Sequence, residues 1–130
     1  MTINDPAVVA EVKAAVLAYE AALMRNDLEA LDAFFWRSPL TIRLGVSENL
    51  HGFDEIAAFR LGRAGGSPAR TQSRVDVIAL GEDVAVAHVE FVREGGQHGR
   101  QSQTWLRTIE GWRVCSAHVS LLQAKADQRG

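Results

Sequence analysis

Gly99-Arg100-Gln101-Ser102-Gln103-Thr104-Trp105-Leu106-Arg107 and, across a tight Ile109-Glu110-Gly111 link, Gly111-Trp112-Arg113-Val114-Cys115-Ser116-Ala117-His118-Val119-Ser120-Leu121-Leu122 decide the fold. Each run has the two-residue period of a strand, and a link this short forces the two strands to be antiparallel neighbours. Gln101, Gln103 and Trp105 share one face of the first strand, and Ser116, His118 and Ser120 share one face of the second. A sheet face packed only on helices should be aliphatic. Polar groups carried toward the same side by two adjacent strands therefore predict a lined cavity rather than a solid core.

Working outward, about Thr71 to Leu80 and Val84 to Arg93 form two more strand-like segments, with turn chemistry at Gly81-Glu82-Asp83 and Glu94-Gly95-Gly96. At the other end Asp5-Pro6 supplies a cap and a first-turn proline, and Val8, Val12, Ala15, Val16, Tyr19 and Leu23 recur at helical spacing to about Arg25. Asn26 with Glu29 fits a capping pattern for a second helix carrying Leu28, Leu31, Phe34 and Phe35. Leu40-Thr41-Ile42-Arg43-Leu44 reads as a strand and runs into the polar segment Gly45 to Gly52. Gly52-Phe53-Asp54 turns into a third helix with Ile56, Phe59 and Arg60, which the glycine-rich Gly62 to Pro68 loop ends. This order predicts an α+β fold, with helices packed on one face of a curved antiparallel sheet that encloses a pocket. It is expected to be a single domain over 1–130, with a flexible tail from about 123 to 130.

With 130 residues there is room for one core and not two. No run approaches the roughly 20 apolar residues of a membrane span, and no basic-then-apolar leader opens the chain, so a cytoplasmic location without membrane association is expected. The net charge of −2 offers no global attraction to nucleic acid. Lysine occurs only at Lys13 and Lys125, a skew that either reflects a GC-rich genome or favours arginine for bidentate contact with carboxylates or for stacking. The single cysteine, Cys115, excludes an intramolecular disulfide, and its apolar run suits a small buried hydrophobe. The histidines show no zinc-ligand spacing and no H-E-x-x-H, so neither a metal nor a cofactor is expected. G-x-S-x-G, P-loop, dinucleotide and Ser-Ser-Lys amidase signatures are absent too.

Arg43 is the sharpest candidate, because a cation in an apolar strand needs a partner. It either pairs with Glu48 as a structural ion pair or binds a substrate carboxylate through its planar fork. Tyr19 lies on the apolar stripe of the first helix, either as a core tyrosine or with its hydroxyl in a site. His118 could act as acid, base or orienting group, or be a hydrogen-bonded strand residue. Trp36 and Trp105 could wall the pocket or simply pack, and Trp112 reads as packing.

Phe35-Trp36, Arg43-x-Gly45-x-x-Glu48-Asn49-Leu50-x-Gly52-Phe53-Asp54-x-Ile56-x-Ala58-Phe59-Arg60, Ala69-Arg70-Thr71, Gly99-Arg100-Gln101-Ser102-Gln103-Thr104-Trp105 and the Gly-Trp-Arg-Val-Cys-Ser-Ala-His-Val-Ser ending resemble the AtzH/HpxZ-like family. That family lies within the NTF2-like superfamily of cone-shaped folds, which also holds SnoaL-type enzymes and ketosteroid isomerase. The resemblance covers nearly the whole chain. It implies a decarboxylating amidohydrolase that converts 1,3-dicarboxyurea, a dianionic urea derivative, to allophanate in cyanuric-acid or related nitrogen catabolism. The family's proposed catalytic pair, a helix tyrosine and a strand arginine, maps onto Tyr19 and Arg43. Arg70 is expected as a second carboxylate clamp, Asn49, Gln103 and His118 as ligands of the central carbonyl, and Trp36 and Glu48 as further binding residues. His51 departs from the tyrosine that relatives often carry there. The resemblance also implies a homodimer formed through the outer face of the sheet and an amidase encoded alongside. The rival readings are a non-catalytic amidase-associated or metabolite-binding protein, and a SnoaL-like isomerase or cyclase on an apolar substrate. The pocket's arginine and glutamine argue against the last.

Overall fold

The Asp5 carboxylate accepts a hydrogen bond from the Ala7 amide at 2.9 Å, and with Pro6 in the first turn it starts helix α1, Pro6–Met24. In the computed structural model, which describes residues 1–124, α1 buries Val8, Val12, Val16, Tyr19, Ala22 and Leu23 along the expected stripe. Its end differs from the sequence expectation. Asn26 has φ +52° and closes α1 rather than opening the next helix: Asn26 N–H donates to the Leu23 carbonyl and Asp27 N–H to the Ala22 carbonyl at 3.0 Å. That is the Schellman pair of bonds. Asp27 then caps α2, Leu28–Phe34, by accepting from the Ala30 amide at 3.1 Å.

Strand β1 is Ile42–Leu44, shorter than expected, because the Ser38 hydroxyl and carbonyl accept from Leu40 and Thr41 and hold Pro39 and Leu40 in a turn. The polar segment after it hides a second short strand, β2, Asn49–His51, paired antiparallel with β1. Helix α3, Phe53–Gly62, follows. The meander is β3 Arg70–Leu80, β4 Val84–Arg93, β5 His98–Thr108 and β6 Gly111–Leu121, all antiparallel neighbours as expected.

The six strands form one sheet in the order β2-β1-β6-β5-β4-β3. β1 runs parallel to β6, so the sheet is mixed rather than wholly antiparallel. This follows from the intervening chain, which is long enough for a crossover. The three helices lie against the inner face: α1 over β3 and β4, α2 against β6, α3 against β1 and β2. Ala79, Ala85 and Ala87 are fully buried beneath them, and small side chains there allow the helices to approach closely. Trp105, Val114, Leu31, Phe35 and Ile56 fill the closed part of the core. Of the expected tail 123–130, residues 125–130 lie outside the described residues. Among the described residues no helix is long and apolar enough to cross a membrane.

Candidate active site

Register decides which side chains meet. Arg43 pairs with Ala117 on β6, and Ala117 pairs with Gln103 on β5, so Arg43, Ala117, Val119, Gln101 and Gln103 all face the helices. Where the sheet opens away from Trp105, this face leaves a cavity of about 180 Å³ lined by Tyr19, Leu23, Arg43, Glu48, Phe59, Arg63, Arg70, Arg93 and Gln101, among others.

Tyr19 is fully buried on α1, edge-on to Phe34 at 5.9 Å and tilted against Phe35 at 6.0 Å, which fixes its ring. A hydrogen-bonded relay of Glu20, Arg70 and Gln101 lies beside it. Arg70 donates from Nε and Nη2 to both oxygens of Glu20, at 2.9 and 2.7 Å, and from Nη2 to Gln101 Oε1 at 2.9 Å. With its oxygen so engaged, Gln101 keeps its amide nitrogen, a donor only, for the cavity it lines with Tyr19. Gly99 supports the relay from behind. A Cβ there would overlap the Phe91 ring, and that ring lies 4.1 Å from the Arg70 guanidinium carbon.

Burial pushes the Tyr19 phenol up, but Arg43, then Arg60 and Arg70, and the Gln101 side chain outweigh it, leaving the pKa below the ordinary 10.0. A phenol so placed is a stronger proton donor than free tyrosine. Arg43 Nη1 donates to Glu48 Oε1 at 2.9 Å, with the two side chains 11% and 17% exposed. Glu48 is itself steadied by the Ser47 hydroxyl at 2.9 Å. Burial raises the Glu48 carboxyl, and the bonds from Ser47 and Arg43 more than reverse that. The bond to Glu48 uses one nitrogen of Arg43, so the guanidinium keeps N–H groups to offer a ligand carboxylate.

Tyr19, Arg43, Glu48 and Arg70 therefore converge as the sequence reading expects. Arg70, however, is spent on Glu20 and Gln101 and is a positioning residue rather than an open clamp. Four other expected residues do not reach the cavity. Gln103 faces inward but is buried, accepting from Trp105 Nε1 at 3.0 Å. Asn49 sits opposite Leu44 and His118 beside it, all on the outer face of the sheet, where both polar residues are exposed. Ser116, His118 and Ser120 thus oppose Gln101 and Gln103 rather than joining them. Trp36 lines a separate concavity of about 280 Å³ with Arg37, Ile109 and Arg113. His51 is also on the outer face. Cys115 is half-exposed at a register shift in β6, and burial pushes its thiol up, which disfavours the thiolate. Glu20, Arg63 and Arg93 were not singled out from sequence. The signal for Glu20 is its place one residue beyond Tyr19 on α1, and for Arg93 its place opposite Arg70 in the β3–β4 hairpin.

A cone of curved sheet closed by three helices, with a polar cavity at its open end, is the NTF2-like architecture. An NTF2-like protein from Salmonella enterica serovar Typhimurium LT2 matches 96% of this chain and 98% of its own at 22% identity and a TM-score of 0.76, a likeness of fold alone. Two solved structures are much more similar. A protein of unknown function from Pectobacterium atrosepticum SCRI1043 is 45% identical over 93% of this chain and 95% of its own, with a TM-score of 0.89. A cystatin-like fold protein from Burkholderia xenovorans LB400 is 41% identical over 96% and 99%, with a TM-score of 0.90. The AtzH-like family model matches residues 1–125, and the chain belongs to that family. A comparison with curated proteins finds no match.

Proposed function

We propose that this protein is a decarboxylating hydrolase of an N-carboxylated urea, taking 1,3-dicarboxyurea to allophanate. The observation that carries this reading is the charge of the cavity. Four arginines line it, and two carboxylates, Glu48 and Glu20, pair with two of them. That leaves an excess of two positive charges, the complement of a dianion.

The chemistry fits the groups at hand. Arg43 holds one carboxylate of the substrate and keeps it from rotating away. The Tyr19 hydroxyl donates its proton to the nitrogen of the carbamate, the C–N bond breaks, and its electron pair stays on nitrogen as carbon dioxide leaves. The phenolate so formed is stabilised by the arginines that lower the Tyr19 pKa and is reprotonated from water. Allophanate, with one carboxylate fewer, remains. A cavity of about 180 Å³ is below the roughly 300 Å³ at which sites for drug-sized molecules begin, so the volume suits a short linear urea and disfavours the isomerase or cyclase alternative.

Freshly generated 1,3-dicarboxyurea incubated with the protein should yield allophanate faster than its spontaneous decay, and Arg43→Ala should return the rate to the spontaneous value. An unchanged rate with wild-type protein would sink the reaction and favour a non-catalytic role beside an amidase.

A further inference from the structure

The excess charge has an address. Arg43 is paired with Glu48 and Arg70 with Glu20, whereas Arg63 and Arg93 have no carboxylate partner among the described residues. Arg63 closes α3 where the glycine-rich loop begins, and its Nε is buried with no acceptor. A buried N–H without an acceptor is unfavourable, and a ligand that brought an acceptor would relieve it. Burial, then Arg43 and Arg60, push the Arg63 pKa down, with Tyr19 and Glu48 only partly opposing.

Arg93 stands directly opposite Arg70 in the β3–β4 register, a like-charge pair that is destabilising by itself. Glu20 offers no relief to Arg93, since both of its oxygens are bonded to Arg70. Phe59 ties the unpaired arm to the paired one: its ring centroid is 5.4 Å from the Arg63 guanidinium carbon and 6.0 Å from that of Arg43. Two guanidiniums thus stand beside one aromatic ring in the same cavity, one steadied by Glu48 and one without a carboxylate partner among the described residues.

We propose that Arg63, supported by Arg93, is a second anion-binding arm that takes the far carboxylate of a short linear dicarboxylate whose near carboxylate is held by Arg43. The arm is a matter of binding and stands without the reaction. Joined to the function proposed above, it gives that site a means of product release. Decarboxylation removes one of the two anchored charges, so the monoanionic product keeps one arm and leaves.

Glutarate is the probe: its two carboxylates are separated by three atoms, as the N–C–N unit separates those of dicarboxyurea, and it does not decarboxylate. Butyrate is the same chain with one carboxylate removed. Calorimetric titration of wild-type protein should show glutarate binding about tenfold or more tighter than butyrate, since charge-assisted hydrogen bonds are the stronger class. Arg63→Met, which keeps an apolar stem against Phe59, should abolish that preference while changing butyrate affinity less than about twofold. Arg63→Lys should restore part of it, and a thermal midpoint near wild type for each variant shows that both are folded. Equal binding of glutarate and butyrate by the wild type, or a full preference surviving in a folded Arg63→Met, overturns the arm. Glutarate preference with no acceleration of dicarboxyurea decay overturns the reaction and supports the arm; acceleration without the preference does the reverse.

Discussion

The two faces of the same sheet treat polar side chains in opposite ways. On the outer face β6 presents Ser116, His118 and Ser120, β5 presents Arg100, Ser102 and Thr104, and all four histidines, at 51, 88, 98 and 118, stand among them. These groups reach water, and a contact such as His88 to Ser102 at 3.0 Å is a surface detail. The inner face carries far fewer polar groups, and nearly every one is tied to another: Gln103 to Trp105, Gln101 to Arg70, Arg70 to Glu20, Arg43 to Glu48. The difference teaches that the number of polar residues on a face says little about chemistry. What matters is whether water can satisfy them. Inside, where it cannot, most partners are supplied by the protein, and Arg63 and Arg93, which have no carboxylate partner among the described residues, stand out.

That contrast can be broken from the inside first. Arg43→Ala removes the cation proposed to hold substrate and the largest charge lowering the Tyr19 pKa, and loss of such an electrostatic group is expected to cut turnover of 1,3-dicarboxyurea by about a hundredfold or more, read from initial rates of allophanate formation. Glu20→Gln should be felt mainly in stability. The Arg70–Glu20 pair is 5% and 12% exposed, and breaking a buried pair by removing one charge costs about 3–5 kcal/mol, measurable by urea unfolding. A smaller effect is expected at Gly45, where an added Cβ would overlap the Glu48 carboxylate. Gly45→Ala should loosen Arg43 and slow turnover by about tenfold, since a misplaced anchor weakens positioning while the charge remains. Outside, His118→Ala should shift unfolding by no more than about 0.5 kcal/mol and leave the rate of the monomer's own site within about twofold. A large rate loss there would mean that the faces are not as separate as the register makes them.

Most of the fold was legible because it rests on local chemistry. The α1 stripe, the Asp5-Pro6 start and the four-strand meander with its short links each carry their own period or turn residues. The elements that escaped are those set by tertiary context. β2 has three residues, one of them apolar, and no period can be read from three positions. Asn26 could cap either helix, and the left-handed backbone that ends α1 decided it. The site was half legible for the same reason. Alternation along a strand reveals that Gln101 shares a face with Gln103, and that Ser116 shares one with His118. It does not reveal how one strand's parity aligns with its neighbour's, which the register settles, with Gln103 opposite Ala117. Arg70 was recognisable as a cation near the site, but its separation of 50 positions from Glu20 concealed the pairing that turns it into a positioning residue.

The central claim, that the inner face sets Tyr19 in an uncompensated positive field, is tested most directly by titrating that tyrosine, the only one in the chain, through its tyrosinate absorbance. Its folded pKa lies below the ordinary 10.0, so its proton leaves the folded protein before it would leave the unfolded one. Stability linked to this group is therefore fully present above the ordinary value and is lost as pH falls through the folded pKa. The account predicts a midpoint below 10.0 that rises in Arg43→Ala and rises again when glutarate occupies the cavity. A midpoint at or above 10.0, unmoved by either change, would contradict it.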